Sequence, residues 1–401
     1  MRQRPLIAVA FWCWGAAATA GVDAPQLAPP GRYAVGVASQ TLVQPDQVDV
    51  LATDPGTGAH PRVDRILPID IWYPAGPPRH AQPVVYVGAL TGEDGKDVTF
   101  TGPGVAFRGA PVRAGSFPLV ILAHGYGGTP VAMSWLAENL ASKGYVVVGP
   151  HFNDPPITDT AKFVQPLTRR PLDIAFVANE ARNRALAHAG AFAGADPART
   201  VLIGYSMGGY GALTAAGSIR DLKAIVAIAP AGRFGGADAF AAHPLSGLVA
   251  PTLFIVGNRD AVVGYDPGVK TIFEREIHAP RYLLTLQGAG HSIGMNPAPA
   301  SMRGRLWDLD WWEDPVWRKD RELAIELHFI TAFLDRYVKG DLGKAAFLDV
   351  PQVASDQGVW VKNPGEAWGA YSPGAPPITV WKGFQNGHAE GLELRFAPAA
   401  K

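Results

Sequence analysis

The chain has 401 residues, 48% of them hydrophobic and 17% charged, which is enough apolar mass for one large domain or two and far from a disordered composition. Lys plus Arg equals Asp plus Glu at 35 each, so no net field selects nucleic acid or an acidic surface as the partner. Function has to come from a local site.

The N-terminus, "MRQRPLIAVAFWCWGAAATAG", sets Arg2 and Arg4 before an apolar run and closes on Ala18-Thr19-Ala20. A basic start, a short apolar stretch and a small-x-small site predict a secretory leader over residues 1–20, cut after Ala20. Its apolar run is short for a membrane anchor, so no stable span is expected after cleavage. The predicted destination is the medium or a bacterial periplasm. The single cysteine, Cys13, lies inside this leader, so the mature chain would hold neither thiol nor disulfide. A chain of this size can be exported without such staples. Cleavage leaves 33 basic against 35 acidic side chains, still close to neutral.

Residues 21–31 are rich in Pro, Ala and Gly and read as a linker into a first strand, "RYAVGVA". A second strand is "RILPIDIWYPA", stopped by Gly76-Pro77. From Ala89 to Ser116 the sequence turns Gly-rich and polar, which predicts a surface excursion. From Phe117 the rhythm changes. "FPLVILAHGYGG" is an apolar run ending in glycines, "VAMSWLAENLASKG" has helical spacing, and "YVVVGPHF" is apolar again. Strand, helix and strand at this pitch imply parallel pairing through a right-handed crossover.

The unit repeats. "RRPLDIAFVANEARNRALAHAG" is helical, "RTVLIGY" a strand, "MGGYGALTAAGS" a helix and "KAIVAIAPA" a strand. "APTLFIVGNRD" and "RYLLTLQGAGH" add two more strands, and "RELAIELHFITAFLDRYVKG" lines Leu323, Leu327, Ile330, Leu334 and Tyr337 along one helical stripe. Apolar strands alternating with helices predict an α/β fold, a mostly parallel central sheet covered by helices on both faces. Reactive groups then belong beyond the carboxyl ends of the strands. The expected organisation is a leader over 1–20, a catalytic domain over 21–340, and a C-terminal extension over 341–401 packed on it.

Gly204-Tyr205-Ser206-Met207-Gly208 is a G-x-S-x-G run set between an apolar strand and a small-residue helix. In that setting the small residues permit a sharp turn that lifts Ser206 Oγ off the sheet edge. The same turn brings the Met207 N–H and a helix N-terminus beside the oxygen, where negative charge would develop. A serine hydroxyl is a weak nucleophile until a base takes its proton, and the base needs a carboxylate to fix its tautomer. In this kind of fold acid and base follow the serine, each just after a later strand. Asp260 ends one such strand, 54 residues on, and His291 ends the next, 31 further.

Rival residues fit less well. Asp221 precedes a strand, Asp266 lies six residues past Asp260 as a substitute, His278 sits at the entry of a strand, and His243 lies in an Ala-rich loop. His151 follows "YVVVGP" at the correct edge and is a candidate to line the pocket, with a surface histidine as the other reading. A second oxyanion donor is assigned to the Tyr126 N–H in "AHGYGG". Four tryptophans, Trp307, Trp311, Trp312 and Trp317, crowd one segment after His291, with Trp311 and Trp312 as pocket candidates and an apolar bond to the C-terminal extension as the other reading. Asp308, Asp310, Glu313 and Asp314 in the same run read as a solvated loop. No metal motif and no phosphate-binding fingerprint occur, so no metal and no cofactor are expected.

With "AHGYGG", "GYSMGG", "APTLFIVGNRD" and "GAGH" in this order, joined by "IDIWYPA" and "RRPLDIAFV", the chain resembles the α/β-hydrolase superfamily over residues 31–340. More narrowly it resembles the dienelactone hydrolase and platelet-activating factor acetylhydrolase-like group. The resemblance implies Ser206 as nucleophile, Asp260 and His291 as its partners, and Tyr126 with Met207 as oxyanion donors. Dienelactone hydrolases carry cysteine where this chain has Ser206. Cutinase-like polyester hydrolases share the motifs but are usually disulfide-bonded, which ranks that reading lower. The expected activity is a carboxylic-ester hydrolase acting on a small-molecule or polymeric ester. A serine peptidase or amidase, and a non-catalytic binding protein on the same fold, are the competing readings.

Overall fold

A computed structural model describes residues 21–50, 52–77, 82–91, 94, 96–155, 165–234, 236–241, 245–276, 278–305, 311–349, 355, 381–385 and 387–400. The expected leader lies outside these residues, as do His243, Trp307, Asp308 and Asp310.

A long antiparallel pair, β1 (Ala34–Val48) and β2 (Arg62–Ala75), comes first, then the hairpin β3 (Val85–Thr91) and β4 (Asp97–Pro103), and a short β5 (Phe107–Arg108). The alternating part follows: β6 (Phe117–Ala123), α1 (Ser134–Ser142), β7 (Val146–Pro150), α2 (Gln165–Leu186), β8 (Ala195–Tyr205), α3 (Met207–Ala215) and β9 (Ala224–Ile228). After a small ribbon, β10 (Arg233–Phe234) with β11 (Ala237–Asp238), come β12 (Thr252–Gly257), α4 (Thr271–Arg275), β13 (Arg281–Leu286), α5 (Lys319–Tyr337) and β14 (Leu392–Ala397).

Ten strands form one sheet in the order β14-β13-β12-β9-β8-β6-β7-β2-β1-β5. The six from β13 to β7 are parallel, as the continuous apolar runs predict. Every residue of β6, β7, β9, β12 and β13 is buried. Helix α1 packs with α5 and α2 with α3, each pair lying against the strands, so both faces of the sheet are covered. The mostly parallel, helix-covered sheet read from the sequence is the architecture observed.

Two segments differ from their sequence reading. The stretch from Ala89 to Ser116, expected as a surface excursion, carries most of the β3–β4 hairpin and buries Leu90, Phe100 and Ala106. A buried hydrogen-bond chain ties it down. Trp72 Nε1 donates to Tyr86 Oη, and Tyr86 O–H donates to Glu138 Oε1, which also accepts the Val105 and Ala106 N–H groups. The segment after Gly340 does more than pack on the domain, because β14 pairs antiparallel with β13 and closes that edge of the sheet. It also explains why α5 is buried beyond its predicted stripe: Phe329 stacks against Trp381 and Phe384 from the extension.

Candidate active site

Strand β8 ends at Tyr205 and α3 begins at Met207, leaving Ser206 alone at the turn with φ 54° and ψ −119°. A non-glycine residue at positive φ is strained and persists only where its surroundings fix it. Here the backbone does so. The Ser206 N–H donates to Ile228 O at 2.9 Å, and Ser206 O accepts from the Tyr210 and Ala231 N–H groups, each at 3.1 Å. The flanking glycines serve close approach. A Cβ on Gly204 would lie 2.1 Å from Gly208 O, and one on Gly208 would lie 2.1 Å from Ala123 O.

Strands β12 and β13 run parallel, with Gly257 opposite Leu286, so the loops after them leave the same sheet edge as Ser206. Asp260 Oδ1 accepts from the Val262 and Val263 N–H groups at 2.9 and 3.0 Å, which leaves Oδ2 for His291 Nδ1 at 2.7 Å. His291 Nε2 lies 3.0 Å from Ser206 Oγ. The three side chains are buried and bonded in series. With Nδ1–H donated to the carboxylate, Nε2 is the nitrogen free to take the serine proton. His291 is steadied from behind: Tyr205 O–H donates to His291 O at 2.7 Å, and its ring lies 5.2 Å from the imidazole. Burial holds the Tyr205 phenol well above its ordinary pKa, so it stays a neutral donor.

On the other side, the loop after β6 folds against Ser206. A Cβ on Gly125 would come within 3.5 Å of Ser206 Cβ. His124 Nδ1 lies 2.7 Å from Gly125 O, and the Gly128 N–H donates to the same oxygen at 3.3 Å, forming a tight turn with Tyr126 at its outer position. Burial, then the nearby Arg170 charge, push the His124 pKa well down, so its ring is neutral and structural. Met207, opening α3, presents one of the unpaired N–H groups of a helix N-terminus at the same place.

Other predicted residues go elsewhere. His151 Nε2 lies 2.9 Å from Asp70 Oδ2, at a cavity lined by Asp70, Tyr86, Arg108 and Val131. The carboxylate of Asp70, also bonded to Ser39 Oγ, is the stronger attraction for that ring. Trp311 does sit by the site, its ring edge-on to His291 at 6.3 Å between centroids. Trp312 is a buried member of the core cluster. Trp317 packs in place: its Nε1 donates to Gln287 O, Arg321 covers its ring, and a Cβ on Gly391 of the extension would lie 3.0 Å from its Cζ2. Asp266 is exposed and pairs with Lys270.

Several residues with no part in the site as read from the sequence support it, among them Asp314 and Glu313 of the run read as a solvated loop. Asp314 accepts from the N–H groups of Gly290, Val316 and Trp317, anchoring the residue before His291, and Glu313 accepts from Ala298 N–H. These carboxylates bind backbone, and among the described residues no group of three or more His, Cys, Asp or Glu is placed to hold a metal ion. Arg170 and Asp154, a buried ion pair, meet the backbone of the His124–Gly128 turn. A carboxylate two or three residues before a bonded N–H, as in Asp314 and Asp260, is a local turn signal that could have been read. The Arg170 contact spans 46 residues and had no local signal.

A family model described as PET hydrolase-like matches residues 98–307, a segment that contains Ser206, Asp260 and His291. Cutinase 2 of Thermobifida cellulosilytica is 31% identical over 123 residues, 30% of this chain and 42% of that protein. Cutinase cut1 of Thermobifida fusca is likewise 31% identical over 123 residues, 30% of this chain and 34% of its own length. The chain thus spans less than half the length of these curated relatives. Among solved structures, a ferulic acid esterase from Streptomyces cinnamoneus superimposes with a TM-score of 0.55 at 22% identity, covering 82% of this chain and 96% of that one. That likeness is one of fold. Among the described residues no helix is long and apolar enough to cross a membrane.

Proposed function

The chain belongs to the PET hydrolase-like family within the α/β-hydrolases, and on that premise we propose that it is a serine hydrolase of carboxylic esters. The observation that carries the reading is the unbroken series Ser206 Oγ to His291 Nε2 at 3.0 Å and His291 Nδ1 to Asp260 Oδ2 at 2.7 Å.

The chemistry runs in two halves. Ser206 Oγ attacks the ester carbonyl carbon as His291 Nε2 takes its proton, and the tetrahedral oxyanion is met by the N–H groups of Met207 and Tyr126. Collapse breaks the bond to the alcohol oxygen, which leaves with the proton from His291. Water then attacks the acyl carbon, His291 takes its proton and returns one to Ser206 Oγ, and the carboxylic acid departs. Asp260 stays ionised throughout and stabilises the imidazolium. Trp311 beside His291 gives the acyl or aryl part an apolar wall. The test is p-nitrophenol release from short-chain acyl esters: wild type turns over, and Ser206→Ala loses activity by a factor on the order of 10⁶. Equal rates in the two proteins would remove the reading.

The family description and the two cutinases favour a second, narrower reading, in which the ester belongs to a polyester. Soluble acids and alcohols released from an aliphatic polyester film, by wild type and not by Ser206→Ala, would support it. Activity on p-nitrophenyl esters with no release from film would restrict the enzyme to small esters. The basic, apolar, small-residue order of residues 1–20 supports export with cleavage after Ala20. N-terminal sequencing of protein recovered from culture medium or periplasm tests this, with Gly21 as the expected first residue.

A further inference from the structure

We propose that Arg170 and Asp154 are positioning residues for the oxyanion hole: they never touch the ester but fix the direction of the Tyr126 N–H. The inference rests on the serine-esterase reading above. In a trans peptide the C=O and N–H point opposite ways, and the Tyr126 N–H belongs to the same peptide unit as Gly125 O. Whatever holds Gly125 O on one side of the turn therefore aims the Tyr126 N–H to the other, and no cis peptide bond intervenes. Three contacts hold that oxygen: Arg170 Nη2 donates to it at 3.0 Å, the Gly128 N–H at 3.3 Å, and His124 Nδ1 lies at 2.7 Å.

Arg170 reaches the turn from α2, where "RRPLDIAFV" begins, and its Nη1 also donates to His124 O at 2.5 Å. Asp154, just past β7, completes the grip. It accepts Arg170 Nε at 3.0 Å, pairs with Arg170 Nη2, and takes the Gly127 N–H at 3.2 Å. Backbone groups of residues 124, 125 and 127 are thus tied to one side-chain pair, leaving Tyr126 between fixed points. The guanidinium in turn lies 4.0 Å above the Phe152 ring, on which the His124 ring also packs. Arg170 and Asp154 side chains are 1% and 4% exposed. An ion pair this deep costs desolvation and is weak evidence of stability in itself. Directional donors aimed at two carbonyls, and an acceptor aimed at an N–H, give it a positioning task that an apolar pair could not perform.

The test separates positioning from structural support. Arg170→Met with Asp154→Leu replaces the ion pair by apolar side chains, which keeps charge out of the interior, and Arg170→Lys keeps the charge but loses the fork. For p-nitrophenyl butyrate the double variant is expected to lose kcat by a factor on the order of 10², the effect of losing one oxyanion donor, with KM within about threefold. Its affinity for an arylboronic acid, whose tetrahedral adduct on Ser206 sets an oxygen in the same hole, should fall by a similar factor. Arg170→Lys should lie between the double variant and wild type. Should the double variant fail to fold, Asp154→Asn, which keeps an acceptor for Gly127 N–H, is read in the same way, with a kcat loss of about tenfold expected. Wild-type kcat and boronate affinity in a folded variant, with only the melting temperature lowered, would overturn the inference and leave a structural ion pair. A wild-type protein inactive on every ester would instead overturn the reading beneath it.

Discussion

The two sides of Ser206 are built in different ways. Toward His291 and Asp260 the proposed working groups are side chains on loops just past their strands, each joined to the next by one hydrogen bond. Toward Tyr126 the proposed working group is a backbone N–H, in a turn whose Gly125 O and Gly127 N–H are held by residues on α2 and after β7 that lie far away in sequence. Side-chain chemistry is carried by the residue that performs it. Backbone chemistry is carried by whatever turns the peptide, so its determinants lie elsewhere in the chain.

The largest test of this contrast breaks the side-chain arm alone. Asp260→Asn should leave the loop folded through the Val262 and Val263 N–H groups yet lower kcat by about 10⁴, because the imidazole then takes the wrong tautomer. A folded variant with a loss below about tenfold would place the working acid elsewhere. Next, Gly208→Ala strikes both arms, since its Cβ meets a backbone carbonyl that cannot retreat; the expected cost is roughly 1–3 kcal/mol in denaturant unfolding, with esterase activity lost. Unchanged stability would show that the elbow is looser than it stands here.

Trp311→Ala sharpens the side-chain arm, with a KM for aryl esters higher by about threefold and a smaller change in kcat. If kcat falls and KM holds, the ring orients His291 and does not face the substrate. A pH test probes the scaffold away from both arms. Burial pushes the Glu276 carboxyl up to about 8, against the opposing hydrogen bond from Thr252 and the charge of Arg281. The folded protein keeps this proton while the unfolded chain loses it near pH 4.5, so stability falls as pH rises from about 4.5 to 8. Glu276→Gln should flatten that decline in melting temperature, and an unaltered slope would contradict the assignment. The smallest effect is expected at Asp266→Asn, with kcat within about twofold of wild type, because that carboxylate is exposed and pairs with Lys270.

Much of the fold was legible because β6, β7, β8, β9, β12 and β13 are apolar runs with helices between them, and parallel pairing follows from that rhythm. Ser206, Asp260 and His291 could be named for the same reason, each standing just beyond a run. The β3–β4 hairpin escaped because its two-stranded sheet leaves Val85 and Val87 exposed, and its anchor, Glu138, sits on another element. Strand β14 was hidden by the irregular sequence that precedes it. His151 stood at the correct edge, but which way its ring turns depends on Asp70, on a neighbouring strand. The missing cysteines ranked the cutinase-like reading low, while the family match and the cutinase relatives lie on that side. Disulfides concern how a chain is held together, and here β14 and α5 close the domain by pairing and packing.

The most direct measurement is a trap of the covalent intermediate. Protein quenched in acid during turnover of p-nitrophenyl acetate, digested and analysed by mass spectrometry, should carry an acetyl group on the peptide containing Ser206, and Ser206→Ala should carry none. Ester hydrolysis that continues with no adduct at Ser206, or with one on another residue, would contradict the account.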